Sequence, residues 1–472
     1  MRTKHRIRIG IVAALVCIAV LSALGACTQA QTFELQAVDR DADGYGAQAY
    51  AYMQRLTTDF ADRTSGGASD GDKKFAFWAA AELSAMGYTP IDRFKAVTDD
   101  ADNPVAGVGE FSYEFDDSNK DREHGKSYNV TFVKPCENPR GTIVIAAGYD
   151  NVYADKAQPT GVEGSYQSAA EIAMLLTIAQ ALRDAQLPYR VEFVLLGQET
   201  YGYIGSYRYY EALTVEERAQ IAMFVSLDHP VGGDRLYLYG RDKQTDYQNY
   251  FYAVARANGY TAQDVPADKH VVRAALFEDG RTQYFHSGMI GHHVYFQDAG
   301  IPTLSVASRN WEADDNPVGT ERAGMENVLY TERDTLLQMN ERMGGHEATR
   351  LALGQATALL IGALVDYPEQ LTAALDTARM QEVGRTAQSS VTNLAMDVVF
   401  KIAVIGALLG VVFWIRKRVA DRREYYQTRM QQAHPPVEPV KPIDVFGLDS
   451  DDPDADRSKN DSDGGNADDL FG

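Results

Sequence analysis

Residues 189–196 (YRVEFVLL) form an apolar, β-rich run that ends at Gly197. A carboxylate, Glu199, follows at once, in a turn closed by Gly202, Gly205 and Ser206. An apolar run of this length between turn residues reads as a buried strand. A buried strand that delivers a carboxylate at its C-terminal end is how open α/β sheets build active sites. The feature recurs: residues 141–147 (GTIVIAA) lead to Asp150, and residues 223–227 (MFVSL) end at Asp228. Carboxylates gathered at one sheet edge hold a metal or move protons. Each alone would more often cap the turn or helix that follows it. Three on successive apolar strands point to a site, or to the remains of one.

The rest of the pattern supplies the frame. Helical spacing marks residues 47–63, 73–86, 169–185, 215–220 and 247–258, and a long final helix over 341–365. Strands are expected at 91–97, 107–115, 127–133, 235–239 and 302–307. This alternation predicts an α/β fold: a mixed, largely parallel sheet with helices on both faces.

Both ends point to a membrane. Arg2, Lys4, Arg6 and Arg8 precede an apolar run over residues 9–27, the pattern of a signal peptide or an uncleaved signal anchor within residues 1–27. Leu24-Gly-Ala-Cys27 resembles a lipoprotein signal, which leaves a lipidated Cys27 open. A Cys27–Cys136 disulfide is conceivable only if Cys27 is retained unmodified. A second apolar run over 398–415, broken by Lys401, leads into Arg416, Lys417, Arg418, Arg422 and Arg423. That is a transmembrane helix, 397–415, with a positive-inside stop; Lys401 can snorkel to the interface. The expected order is an extracytoplasmic domain over 30–366, a juxtamembrane linker over 367–396, the span, and a cytoplasmic tail over 416–472. The tail turns Pro-rich and then Asp-rich and is too polar to bury a core. The net charge of −21 argues against nucleic acid as a partner, because phosphate binding needs clustered Lys and Arg.

The order of motifs resembles the two-zinc aminopeptidases, a family that includes glutaminyl cyclases, the transferrin receptor and nicastrin. Arg63-Thr-Ser-Gly-Gly67 looks like the family's opening. Phe193 to Ser206 is similar to its "FxxxGxEExGxxGS" segment. Phe296-Gln-Asp-Ala-Gly-Ile-Pro302 matches "F…GIP", and Tyr330-Thr-Glu-Arg-Asp-Thr335 looks like "HTxxDT". The resemblance covers roughly residues 47–365 and implies two zinc ions on five ligands, with a Glu as base.

Carried over by position, most of that chemistry is missing. The His of "HxD" is Gly148 here, while Asp150 remains. The bridging Asp of "GADDNxSG" falls on Gly164, with Glu163 beside it. Glu199 matches the general base, but the adjacent metal-binding Glu is Thr200. Asp228 is retained, the final His is Tyr330, and the "SDH" His would be His293. Catalytic zinc takes three protein ligands and a water. The resemblance therefore implies a membrane-anchored, catalytically inactive pseudopeptidase that binds a peptide or protein partner, with no cofactor. The alternative is an active metallo-aminopeptidase or glutaminyl-cyclase-like enzyme. Its rebuilt zinc site would draw on Asp228, Glu163 and His293, with Glu199 and Asp150 catalytic. That oxygen-rich set would suit a hard cation better than zinc.

Two clusters have plainer readings. Tyr201, Tyr203, Tyr207, Tyr209 and Tyr210 pack a helix on the sheet or offer a partner surface. His270, His286, His292 and His293 suggest a polar cleft wall or an alternative metal site; with no helical i, i+4 ligand pair among them, scattered surface histidines are the plainer reading.

Overall fold

The computed structural model describes residues 32–65, 70–115, 123–151, 163–200, 202–240, 246–264, 272–276, 282–286, 291–309, 328–329, 331–381, 410–426 and 429. The signal segment, Cys27, most of the expected span and tail, His270, Tyr201 and Tyr330 lie outside them. So do the side chain of His286 and most of the "GADDNxSG" approach. The chain divides into two units, Met1–Asn393 and Leu394–Gly472.

Among the described residues of the first unit, ten strands form one sheet and two form a separate hairpin. In chain order they are β1 (Thr89–Pro90), β2 (Lys95–Thr98), β3 (Pro104–Phe115), β4 (Glu123–Lys134), β5 (Thr142–Gly148) and β6 (Arg190–Leu196). Then come β7 (Ile221–Leu227), β8 (Arg235–Tyr239), β9 (Ala262–Gln263), the hairpin β10 (Val272–Leu276) and β11 (Thr282–His286), and β12 (Thr303–Arg309). The order across the sheet is β2-β3-β4-β6-β5-β7-β12-β8-β9, with β1 on β4.

The central strands are parallel, and so is the short edge pair of β8 and β9. β6, β5, β7 and β12 run the same way, while β4 joins β6, and β8 joins β12, antiparallel. The sheet is thus mixed, and the largely parallel expectation holds for its central strands. The apolar runs of β5, β6 and β7 lie here, and every residue of β5, β7 and β12 is buried. Alternation within the runs feeds two cores. Ile143, Ile145 and Ala147 enter the cluster under helices Ala42–Asp59, Gly71–Ala85, Ala170–Leu182, Asp246–Ala257 and His346–Val365. Val144 and Ala146 enter the opposite cluster with Tyr209, Leu213, Tyr295 and Phe296. Both faces are therefore covered, as parallel strands require.

The expected final helix over 341–365 is broken. Leu336–Met343 stops at Gly344 and His346–Val365 begins after Gly345, whose φ values are +89° and +121°. Two consecutive left-handed residues end a helix whatever the apolar spacing around them. His346–Val365 is apolar and long enough to cross a membrane, but most of it is buried in this domain. A further helix, 368–381, lies in the segment expected as a linker, and its Leu371, Ala374, Leu375 and Ala378 join the core.

In the second unit, residues 410–426 are helical. Val411, Phe413 and Trp414 are exposed there, and the Arg418 guanidinium lies 4.6 Å from the centre of the Trp414 ring.

Candidate functional site

The parallel register brings the ends of β5, β6, β7 and β12 to one edge. Asp150 follows β5, Glu199 follows β6, Asp228 follows β7, and Arg309 ends β12. All four are buried. The backbone is bent sharply here: Gln198, Tyr203 and His229, none of them glycine, have φ near +55° (53°, 57° and 56°). Such conformations persist where surrounding structure fixes them and cluster at functional sites.

Asp150 binds the turn after β6. One oxygen accepts from the Glu199 N–H at 2.7 Å, the other from the Thr200 N–H at 3.2 Å and the Thr200 hydroxyl at 2.7 Å. Burial pushes its carboxyl above the usual range, against these neutral donors. Thr200 Oγ1 also accepts from Gln167 Nε2 at 2.7 Å, so the position of the missing second Glu is built into a hydrogen-bond chain.

Glu199 is closed by its neighbours. Oε1 accepts from the Ser206 N–H at 2.6 Å, and Oε2 accepts from the Ser206 hydroxyl and from His292 Nδ1, the latter at 2.6 Å. To act as a base it would have to break at least one of these bonds. On the far side of the His292 ring, Nε2 lies 3.2 Å from Glu171 Oε2 and 3.1 Å from the Gly148 N–H. Burial pushes Glu171 up to about 8. Burial opposes the His292 cation, but the Glu171 and Glu199 carboxylates outweigh it and raise its pKa well above the ordinary value. A proton therefore stays between His292 and Glu171 at neutral pH.

Asp228 has charged company. Oδ2 accepts from Arg309 Nη2 at 2.7 Å, and Oδ1 from His229 Nδ1 at 2.7 Å. Burial alone would raise Asp228, yet the Arg309 guanidinium, with His229, holds it far below the usual carboxylate range. Burial lowers His229 itself, so its ring is neutral and donates through Nδ1.

The two glycines at expected ligand positions have no room for a side chain. A Cβ at Gly148 would come within 2.6 Å of His292 Cε1. A Cβ at Gly164, whose φ is +62°, would come within 2.8 Å of Arg63 Nη2. Arg63 is fully buried, donating to the Tyr149 carbonyl at 2.9 Å, the Glu163 carbonyl at 3.0 Å and Ser168 Oγ at 2.9 Å. Burial lowers its pKa to about 10.

The residues expected to form the site thus part company. Asp150 and Glu199 touch through the Glu199 N–H, and Asp228 belongs to the same edge. Glu163 points elsewhere: its Oε2 accepts from the Leu336 N–H at 2.6 Å, at the start of helix Leu336–Met343. His293 is buried against the Tyr239 ring, while its neighbour His292 is the imidazole that reaches Glu199. Glu171, Arg309 and Arg63 were not singled out by sequence as site residues, and His292 only within a histidine cluster read as surface; His292 and His293 are instead buried. Two left a trace: Glu171 is the one charge in the helix AEIAMLLTIAQAL, and Arg309 ends an apolar strand as the three carboxylates do.

The side chains present do not fit a two-zinc centre. Gly148 and Gly164 cannot be ligands, Thr200 is held by Asp150 and Gln167, and Asp228 already faces a guanidinium. Among the described residues no three His, Cys, Asp or Glu side chains converge as metal ligands.

Residues 129–343 match the family model described as Peptidase family M28. The resemblance to the zinc aminopeptidase family holds. A stretch of 168 residues is 23% identical to the alkaline phosphatase isozyme conversion protein of Escherichia coli, covering 34% of this chain and 45% of that protein. A stretch of 199 residues is 24% identical to an aminopeptidase of Pseudomonas aeruginosa, covering 40% and 34%. The match spans less than half the length of either relative. Among solved structures, the zinc aminopeptidase BSAP of Bacillus subtilis is similar with a TM-score of 0.47 at 14% identity, covering 68% of this chain and 95% of that one. The Porphyromonas gingivalis glutaminyl cyclase gives 0.46 at 17% identity, covering 68% and 97%.

Proposed function

We propose that this protein is a membrane-anchored, catalytically inactive member of the M28 fold that binds a peptide or protein partner outside the cytoplasm. One observation carries the reading: the side-chain space at Gly148 and Gly164 is filled, by the His292 ring and the Arg63 guanidinium. A site that had only lost ligands would keep holes where they stood. Here other side chains occupy them and are hydrogen-bonded in place. The membrane part of the proposal is supported by the apolar run before Arg416, Lys417 and Arg418, and by the exposed Val411, Phe413 and Trp414 on helix 410–426. On this reading the tail lies in the cytoplasm.

Metal analysis and a hydrolysis assay on the purified full-length protein test the inactive reading together. The expected result is zinc well below one equivalent and no release of amino acids from aminoacyl anilides or a peptide panel. Stoichiometric zinc with hydrolysis that chelators and Glu199→Gln both abolish would establish instead the active enzyme with a rebuilt site.

A further inference from the structure

Asp228 is the one expected ligand position that keeps its residue, and it faces a cation belonging to the chain itself. β12 lies parallel to β7, with Val306 opposite Leu227 and the Asp228 N–H donating to the Val306 carbonyl at 3.0 Å. Continuing that register carries Arg309 to the same sheet edge. The two side chains are 3% and 2% exposed, and Asp228 is the only carboxylate among the described residues with which Arg309 pairs. A carboxylate shut away from water this completely needs a counter-charge. A guanidinium supplies one on a planar, permanently charged group that needs no other ligands to hold it.

We infer that Arg309 is the built-in counter-cation of this site, a guanidinium doing for Asp228 the charge neutralisation that a bound metal ion would otherwise do. The inference rests on the inactive reading above and deepens it. The folded state is complete without metal, and Asp228 becomes open to a divalent cation only when the guanidinium is taken away.

Thermal unfolding of the full-length protein, with zinc chloride or with EDTA, tests this on three variants. Arg309→Gln removes the charge and should lower Tm on the order of 5–10 °C. Adding Asp228→Asn to it should recover much of that loss, because no charge is then left unpaired. Arg309→Lys should fall between wild type and Arg309→Gln. Zinc should raise the Tm of Arg309→Gln while leaving wild type and the double variant where they were. An Arg309→Gln protein as stable as wild type would overturn the inference. So would a wild-type Tm that zinc raises as far as it raises that of Arg309→Gln. If Arg309→Gln does not fold, the double variant decides. Recovery of folding supports the counter-cation role, and equal loss of both shows that the guanidinium is needed for packing, not charge. Hydrolytic activity in the wild type would refute the inactive reading, whereas an indifferent Arg309→Gln refutes the counter-cation alone.

Discussion

Asp150 and Asp228 end neighbouring parallel strands and are equally buried, each 2% exposed, yet they ionise in opposite directions. Asp150 meets two backbone N–H groups and a threonine hydroxyl, and its pKa is raised. Asp228 meets a guanidinium, and its pKa is lowered. Neutral donors reduce the desolvation penalty of a carboxylate without cancelling it, whereas a full charge in contact can exceed it. The same edge of one sheet thus holds a hydrogen-bonded half, with a proton between His292 and Glu171, and an ion-paired half.

Substitution should separate the halves. Asp228→Asn leaves the Arg309 cation buried without its partner and should cost about 3–5 kcal/mol of stability in denaturant unfolding. Asp150→Asn strands no ion and should cost about 1–2 kcal/mol, the loss of one set of hydrogen bonds. If the two costs came out equal, the distinction between the halves would be wrong. The smallest effect at any one pH, and the most specific, belongs to Glu171→Gln. A carboxyl raised to about 8 keeps a proton in the folded state that the unfolded chain releases above its ordinary range near 4.5. Stability therefore falls as pH rises from there through about 8. His292, Glu199, Asp228 and Arg63 face this carboxyl, and Asp72 and Asp334, both raised to about 7, add to the slope through pH 7. Glu171→Gln should flatten the loss between pH 5 and 8, read as Tm against pH. An unchanged slope would place the proton elsewhere.

The legible part of the site was the part that local sequence carries. Apolar runs bounded by glycine located β5, β6 and β7, and the carboxylates at their ends followed from the strand reading alone. The choice of histidine did not. Motif register favoured His293, but one residue in a tight turn changes the direction of a side chain, and His292 is the one that turns to Glu199. Glu163 looked like a ligand beside Gly164 because spacing does not show that the chain there meets the start of helix Leu336–Met343. The apolar helix His346–Val365 carries a similar ambiguity. Its composition suits a membrane, and its burial in the domain is a fact of packing.

What the sequence determined by itself was the alternation of strands and helices, the carboxylates on successive apolar strands, and the absence of side chains at Gly148 and Gly164. Each is a property of residues close in the chain, where periodicity and turn chemistry act. Only the tertiary structure decided what filled the gaps. His292 reaches Gly148 across 144 positions, Arg309 reaches Asp228 across 81, and Arg63 reaches Ser168 across 105. Contacts at such separations depend on which strands are neighbours and in what register, and no local pattern encodes that. The glycines could be read as losses from the sequence; their replacement by an imidazole and a guanidinium is visible only in the folded chain.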